Sequence, residues 1–202
     1  MLGEYELLTP LKDLALQLEE APIEPVHSRF PLDVCAELAN AVEIVLSLDT
    51  KAYLDQYTIA FITSTGLLYP DSDDQIRELA GQNTAILQNL EAVNPLYAQL
   101  SRALVSQAHP RVSFSAYVSS RKSNRLGIHV DLWDNIVVQL SGSKTFYFDN
   151  DTVRLQTGDA LSIPQGVPHD VTTDISSLHL SAVLLRQSWL NTLPLRSSSR
   201  RP

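Results

Sequence analysis

Gly127 to Phe148 reads GIHVDLWDNIVVQLSGSKTFYF, a run of β-branched and aromatic residues interrupted at Ser141-Gly142-Ser143 by residues that favour turns. Two strands joined by a tight turn are the expectation, and the same pattern continues on both sides. Upstream lies Val112 to Ser119; downstream lie Ala160 to Ile163, Asp170 to Thr173 and Leu178 to Leu185. Together with Gly127 to Asp131, Asn135 to Leu140 and Lys144 to Phe148, these are short strands at close spacing, which predicts a sandwich or barrel.

Before Arg111 the apolar period is helical. Thr9-Pro10 is a helix start, hydroxyl cap followed by proline, and Leu11, Leu14, Ala15 and Leu18 share one face, predicting a helix from Pro10 to Glu20. A second begins near Pro31 and places Cys35 on its apolar face, where a buried, inert thiol is expected. Tyr57 to Thr63 reads as a strand. Ile76, Leu79, Ile86, Leu87 and Leu90 suggest one long helix ended by Asn94-Pro95, and a further helix spans Leu96 to Gln107. No linker separates this part from the strands, so the organisation expected is a helical region, 1–110, packed on a β core, 111–193. A short helix with Trp189 and Leu190 and a tail, 194–202, would follow.

The chain has 202 residues, 44% hydrophobic and 19% charged, enough for a packed core. Lys plus Arg number 15 against 23 Asp plus Glu, so the net charge of -8 offers no general attraction to a phosphate backbone, and no nucleic-acid partner is expected. A single cysteine cannot close an internal disulfide, the first residues lack a basic-then-apolar leader, and no apolar run reaches membrane-spanning length. A cytoplasmic protein without a membrane partner is the expectation.

The chemistry concentrates in the β half. His129 and Asp131 stand two apart, so on a strand they project to one face. His169 follows 38 positions after Asp131 (169 - 131), at the end of a hairpin. Two imidazoles and one carboxylate on one face leave coordination positions open, an arrangement favoured by non-haem Fe(II).

The stretch from Gly127 to Phe148, followed by Gly158, Asp159, Ile163, Pro164, Gly166 and His169, resembles the JmjC-type cupin oxygenases, closest to their ribosomal-oxygenase-like and asparaginyl-hydroxylase-like branch. The resemblance spans roughly Tyr117 to Val183. It implies an α+β protein built on a double-stranded β-helix, with His129, Asp131 and His169 as iron ligands and Fe(II), 2-oxoglutarate and O2 as cofactor and cosubstrates. It also implies that Lys144 anchors the far carboxylate of 2-oxoglutarate, that Asn135 approaches the near one, and that Gln139 matches the same pattern. Physics agrees at Lys144: an ammonium on an inward strand position is costly unless an anion meets it. Some relatives carry a threonine three residues before the first histidine; here that position is Leu126, so the hydroxyl partner of Lys144 must come from another strand, Tyr117 or Ser119. Asp131 keeps the acid position that halogenating relatives vacate, favouring hydroxylation.

The resemblance is silent on substrate. Relatives acting on ribosomal proteins carry a further C-terminal helical module, and few residues follow Leu185, so a small molecule, amino acid or peptide is expected. Arg121, Lys122 and Arg125 crowd the loop before the metal segment; they meet an acidic substrate, or they form a solvated loop. Trp133 walls the pocket or packs outside it. His179 lines the pocket or is a core histidine bonded to a neighbour. His27 and His109 are assigned no chemistry. The rival functions are a non-oxidative metal-binding cupin, serving as ligand sensor or isomerase, a 2-oxoglutarate-independent dioxygenase, and a protein hydroxylase; Lys144 speaks against the cupins that bind no 2-oxoglutarate. A homodimer through the N-terminal helices is left open.

Overall fold

The computed structural model describes residues 4–20, 22, 24–47, 59–120, 125–173 and 175–187. The first element is a helix, α1 (Glu4–Glu19), and it begins earlier than its start signal: Pro10 lies inside it. Burial outweighs local punctuation here, because Leu7 and Leu8 join Leu11, Leu14 and Leu18 in the core and draw the preceding turn into the helix. Next come β1 (Val26–Arg29) and α2 (Leu32–Leu46), the latter starting after Pro31 as expected and burying Val34, Cys35, Leu38, Val42 and Val45. Burial pushes the Cys35 thiol up to about 11, consistent with an inert sulfur.

The N-terminal region then departs from a purely helical plan. A hairpin, β2 (Ile59–Thr63) and β3 (Gly66–Leu68), is followed by a short helix, α3 (Asp73–Leu79), capped by the Ser72 hydroxyl. The single long helix expected through Ile76 and Leu90 does not form. Gly81, at φ +81°, turns the chain, and the next residues become β4 (Thr84–Leu87), paired with β2 and later with the strand containing Tyr117. Partners distant in sequence decide this segment, whose alternation of Thr84 and Ile86 with Ala85 and Leu87 suits a strand buried on both faces. Two helices complete the region, α4 (Leu90–Val93) and α5 (Pro95–Leu104), the second capped by the Asn94 side chain.

The C-terminal half is β5 (Arg111–Ser119), β6 (Asp134–Ser141), β7 (Ser143–Tyr147), β8 (Thr152–Gln156), β9 (Asp159–Ile163), β10 (Asp170–Thr172) and β11 (Ser177–Leu185). Strand β8 is an addition to the sequence reading. Gly127 to Asp131 is not a strand; its sole ladder contact is an isolated bridge between His129 and His169. The expected helix at Trp189 and Leu190, the tail at 194–202, and residues 57 and 58 of the predicted strand lie outside the described residues.

An eight-stranded antiparallel sheet runs β1-β9-β6-β11-β5-β4-β2-β3, facing a three-stranded sheet, β10-β7-β8. Strands from both sides of residue 110 share the large sheet. One of its faces carries Phe114, Ala116, Ile136, Val138, Leu180 and Ala182, which pack with α1, α2 and α5 into the main apolar core. The opposite face presents Tyr117, Asn135, Val137 and His179 to the small sheet, where Val137 meets Phe146, Leu155 and Leu161. This is a double-stranded β-helix with helices stacked on its outer face. Among the described residues no helix is long and apolar enough to cross a membrane.

Candidate metal centre

His129 and Asp131 project from an extended segment that enters β6 through a bend, and His169 ends the connection from β9 to β10. The two segments are tied by paired backbone hydrogen bonds: the N–H of each histidine donates to the carbonyl of the other, both at 2.9 Å. A second strap lies beside it. Gly166, at φ +81°, donates its N–H to the Asp131 carbonyl at 2.9 Å, and the Gln165 N–H donates to Asp134 Oδ1 at 2.8 Å. The positive φ is one that glycine adopts without strain, which explains its place in the proline-flanked turn.

These straps bring one ligand atom each from His129, Asp131 and His169 within 4.8 Å of one another, with His169 Nε2 3.9 Å from Asp131 Oδ2. Each imidazole is oriented by a carbonyl: His129 Nδ1–H donates to Gly127 O at 2.9 Å, and His169 Nδ1–H donates to Val167 O at 3.0 Å. A carbonyl can only accept, so each ring carries a proton on Nδ1 and its ligating atom is Nε2. Burial keeps the His169 imidazole below its usual range, which favours the neutral, ligating form. Asp131 is approached by Asn135 Nδ2 at 3.4 Å, and Asn135 is itself held by the Ser181 hydroxyl, donating at 2.6 Å. Two oriented imidazoles and a carboxylate fit a divalent transition metal.

The segment inverts the usual strand pattern. His129, Asp131 and Trp133 face a cavity, while Ile128, Val130 and Leu132, which alternate with them, are exposed, Ile128 at 80%. Alternation therefore survives without a ladder.

The cavity has a volume of 330 Å³ and reaches from the three ligands to Lys144. Lys144 sits on β7 directly after the Ser141-Gly142-Ser143 turn and is buried at 4% exposure. Its ammonium makes no ion pair among the described residues; it lies over the Tyr117 ring, 5.6 Å from the centroid. Burial pulls its pKa down to about 7. His179 stacks on the same ring, with centroids 4.5 Å apart. It is driven well below the ordinary imidazole value by burial and then by Lys144, and its Nδ1 is buried without a hydrogen-bond partner. It thus lines the pocket instead of bonding to a neighbour. Burial likewise raises the Tyr117 phenol.

Other expected site residues fall differently. Gln139 does not line the cavity: its amide donates to the carbonyls of Ser141 and Leu178, at 2.6 and 3.3 Å. Ser119 is paired with Thr84 at 2.9 Å, and Lys144 meets Tyr117 at its ring face. Trp133 walls the cavity. Arg125 does so too, 59% exposed and paired with Asp170 at 2.9 Å. Arg121 and Lys122 lie outside the described residues. His109, given no role, is wholly buried and donates to Asp134 at 2.7 Å, with Arg186 on the same carboxylate. The wall supplied by β2 to β4 went unread, because its residues carry no polar motif.

The fold is of the cupin type. Residues 125–202 match the family described as the AraC-like ligand binding domain. No curated protein matches the chain in sequence. Among solved structures, the ribosomal oxygenase YcfD of Escherichia coli is 13% identical with a TM-score of 0.56, the alignment covering 93% of this chain and 59% of that one. Its complex with cobalt and succinic acid is 14% identical with a TM-score of 0.56, covering 89% and 57%. Its complex with cobalt and 2-oxoglutarate is 15% identical with a TM-score of 0.52 over the same shares. The likeness is one of fold, and this chain spans less than two thirds of that protein's length.

Proposed function

We propose that this protein is an Fe(II)- and 2-oxoglutarate-dependent oxygenase that hydroxylates a C–H bond of a small molecule, amino acid or peptide. The observation that carries the reading is the unpaired, buried Lys144 in the same cavity as a two-histidine, one-carboxylate set. A buried ammonium without a counter-ion is unfavourable on its own, and a dicarboxylate resolves it.

In this reading His129 Nε2, Asp131 and His169 Nε2 hold the metal, with the Gly127 and Val167 carbonyls fixing the ring orientations. When bound, Fe(II) with 2-oxoglutarate and O2 supplies the oxidising power, the cosubstrate leaving as succinate and CO2 while one oxygen atom enters the substrate. Lys144 anchors the far carboxylate, and Asn135, steadied by Ser181, faces the near one. Tyr117, Phe146 and Trp133 keep water from the interior.

A second reading is a non-oxidative metal-binding cupin that serves as ligand sensor or isomerase; the match of residues 125–202 to a ligand-binding domain supports it. One experiment separates the two. Metal-stripped protein is titrated anaerobically with Fe(II) and then 2-oxoglutarate, following the weak visible charge-transfer band of the chelate, with Lys144→Ala in parallel. A band that weakens in the variant supports the oxygenase; tight metal binding without a band sinks it.

A further inference from the structure

The cavity wall is chemically divided. Its deep end holds the polar groups: Lys144, His179 and the three metal-binding side chains. Its more exposed lining, the mouth, is mainly apolar, with Leu67, Tyr69 and Leu126 at 49%, 48% and 41% exposure, alongside Ile62, Ile86 and Trp133 and the polar Arg125 and Gln88. Among the described residues the charged side chain at the mouth is Arg125, paired with Asp170 at 2.9 Å. An acidic substrate would share the Arg125 guanidinium with Asp170, and a basic one would find that carboxylate already engaged. Size narrows the occupant further, because 330 Å³ is near the lower end of the roughly 300–1,000 Å³ of ordinary ligand pockets and must also admit the cosubstrate.

We infer that the substrate presents an uncharged apolar group, no larger than one ring or one branched aliphatic chain, to the Leu67-Tyr69-Leu126 mouth. The inference rests on the oxygenase reading, since only there is the deep end occupied by a cosubstrate. Among the described residues an ion desolvated against this wall meets no unpaired charge of opposite sign outside the deep end, so charge on the entering group is selected against.

The test uses a matched set: 3-methylbutan-1-ol, 3-methylbutanoate and 3-methylbutylammonium. Binding is read as a change in Trp133 fluorescence in a Trp189→Phe background, which leaves one tryptophan. It is measured with Fe(II) and 2-oxoglutarate bound under anaerobic conditions, and again in Lys144→Met protein, where the anion has no ammonium to seek. The alcohol should bind about tenfold or more tightly than either ion in both settings, and Leu67→Asp should weaken the alcohol by a similar factor. Acetyl-glycyl-leucyl-glycinamide binding more tightly than the alcohol assigns the group to a peptide side chain, and weaker binding assigns it to a free molecule; either keeps the class. An ion that binds as well as the alcohol in Lys144→Met protein, no binding by the alcohol, or indifference to Leu67→Asp overturns the inference. Preference for the alcohol together with no binding of 2-oxoglutarate to the unsubstituted chain would instead remove the oxygenase reading and leave an apolar-ligand pocket.

Discussion

The Lys144 ammonium rests over the ring of Tyr117, 5.6 Å from its centroid, and this contact is its electrostatic partner among the described residues. A ring face offers a cation far less than a carboxylate does, so the fold holds Lys144 at the edge of losing its proton, at about 7. The cavity is thereby poised to gain stability from an anion.

Replacing this ammonium by an apolar chain of similar size should stabilise the ligand-free protein while abolishing its response to 2-oxoglutarate. Lys144→Met is expected to raise Tm at pH 6, each 1 kcal/mol gained moving a chain of this size by about 2–4 °C. Addition of 2-oxoglutarate with metal should then no longer raise Tm further. Differential scanning calorimetry with and without the ligand checks both halves.

The same lysine sets a pH dependence. Its folded value lies below the ordinary lysine value, so between about 7 and 10.5 the unfolded chain binds a proton that the folded chain does not, and stability rises with pH across that window. Below 7 the folded state carries the full burden of a buried cation. A dicarboxylate needs the protonated form, so its affinity should be flat below pH 7 and fall by about tenfold per unit above it, with proton uptake on binding. Calorimetric titration in buffers of different ionisation enthalpy measures that proton.

Asn135→Ala and Ser181→Ala probe the orientation of Asp131. Asn135 approaches the carboxylate and Ser181 holds Asn135, so Co(II) affinity should drop by about 10–100-fold in the first variant and less in the second. Equal affinities in all three proteins would show that Asp131 needs no support.

Asp134 is fully buried between His109 and Arg186. Burial alone would raise its carboxyl, but the bonds from His109, the Gln165 N–H and Arg186 outweigh this and hold it below the usual range. Its contribution to stability is therefore complete above the unfolded carboxylate value and is lost as pH falls through the folded one. Asp134→Asn should lose about 3–5 kcal/mol in urea unfolding at neutral pH, because Arg186 and His109 lose their charged partner.

At Gly142, φ is +71° and an added Cβ would run into the Ser176 carbonyl oxygen. Gly142→Ala should lower Tm and loosen the hairpin that carries Lys144, readable as a weaker response to 2-oxoglutarate than to metal.

Much of the β core was legible. Its strands are short runs of β-branched and aromatic residues between turn residues, a local pattern that their burial on both faces reinforces. The donor set was legible as well, since His129 and Asp131 carry their i, i+2 relation wherever the backbone is extended. Less legible was β4: Thr84 to Leu87 is four residues long, follows a helix, and becomes a strand because β2 and β5 flank it. Likewise α1 runs through Pro10 because the core takes up Leu7 and Leu8.

What the sequence by itself determined was the alternation of side chains and the identity of the groups able to bind a metal or an anion. Tertiary structure decided which of those groups are available. It engaged Gln139 with two backbone carbonyls, neutralised Arg125 with Asp170, and left Lys144 with a ring instead of a carboxylate. The reason is that each outcome includes a pairing across the chain, between residues 39, 45 and 27 positions apart (178 - 139, 170 - 125, 144 - 117), Gln139 adding a local bond to Ser141. Charge and hydrogen bonding are satisfied by whatever neighbour the fold brings near, and local sequence does not contain that neighbour.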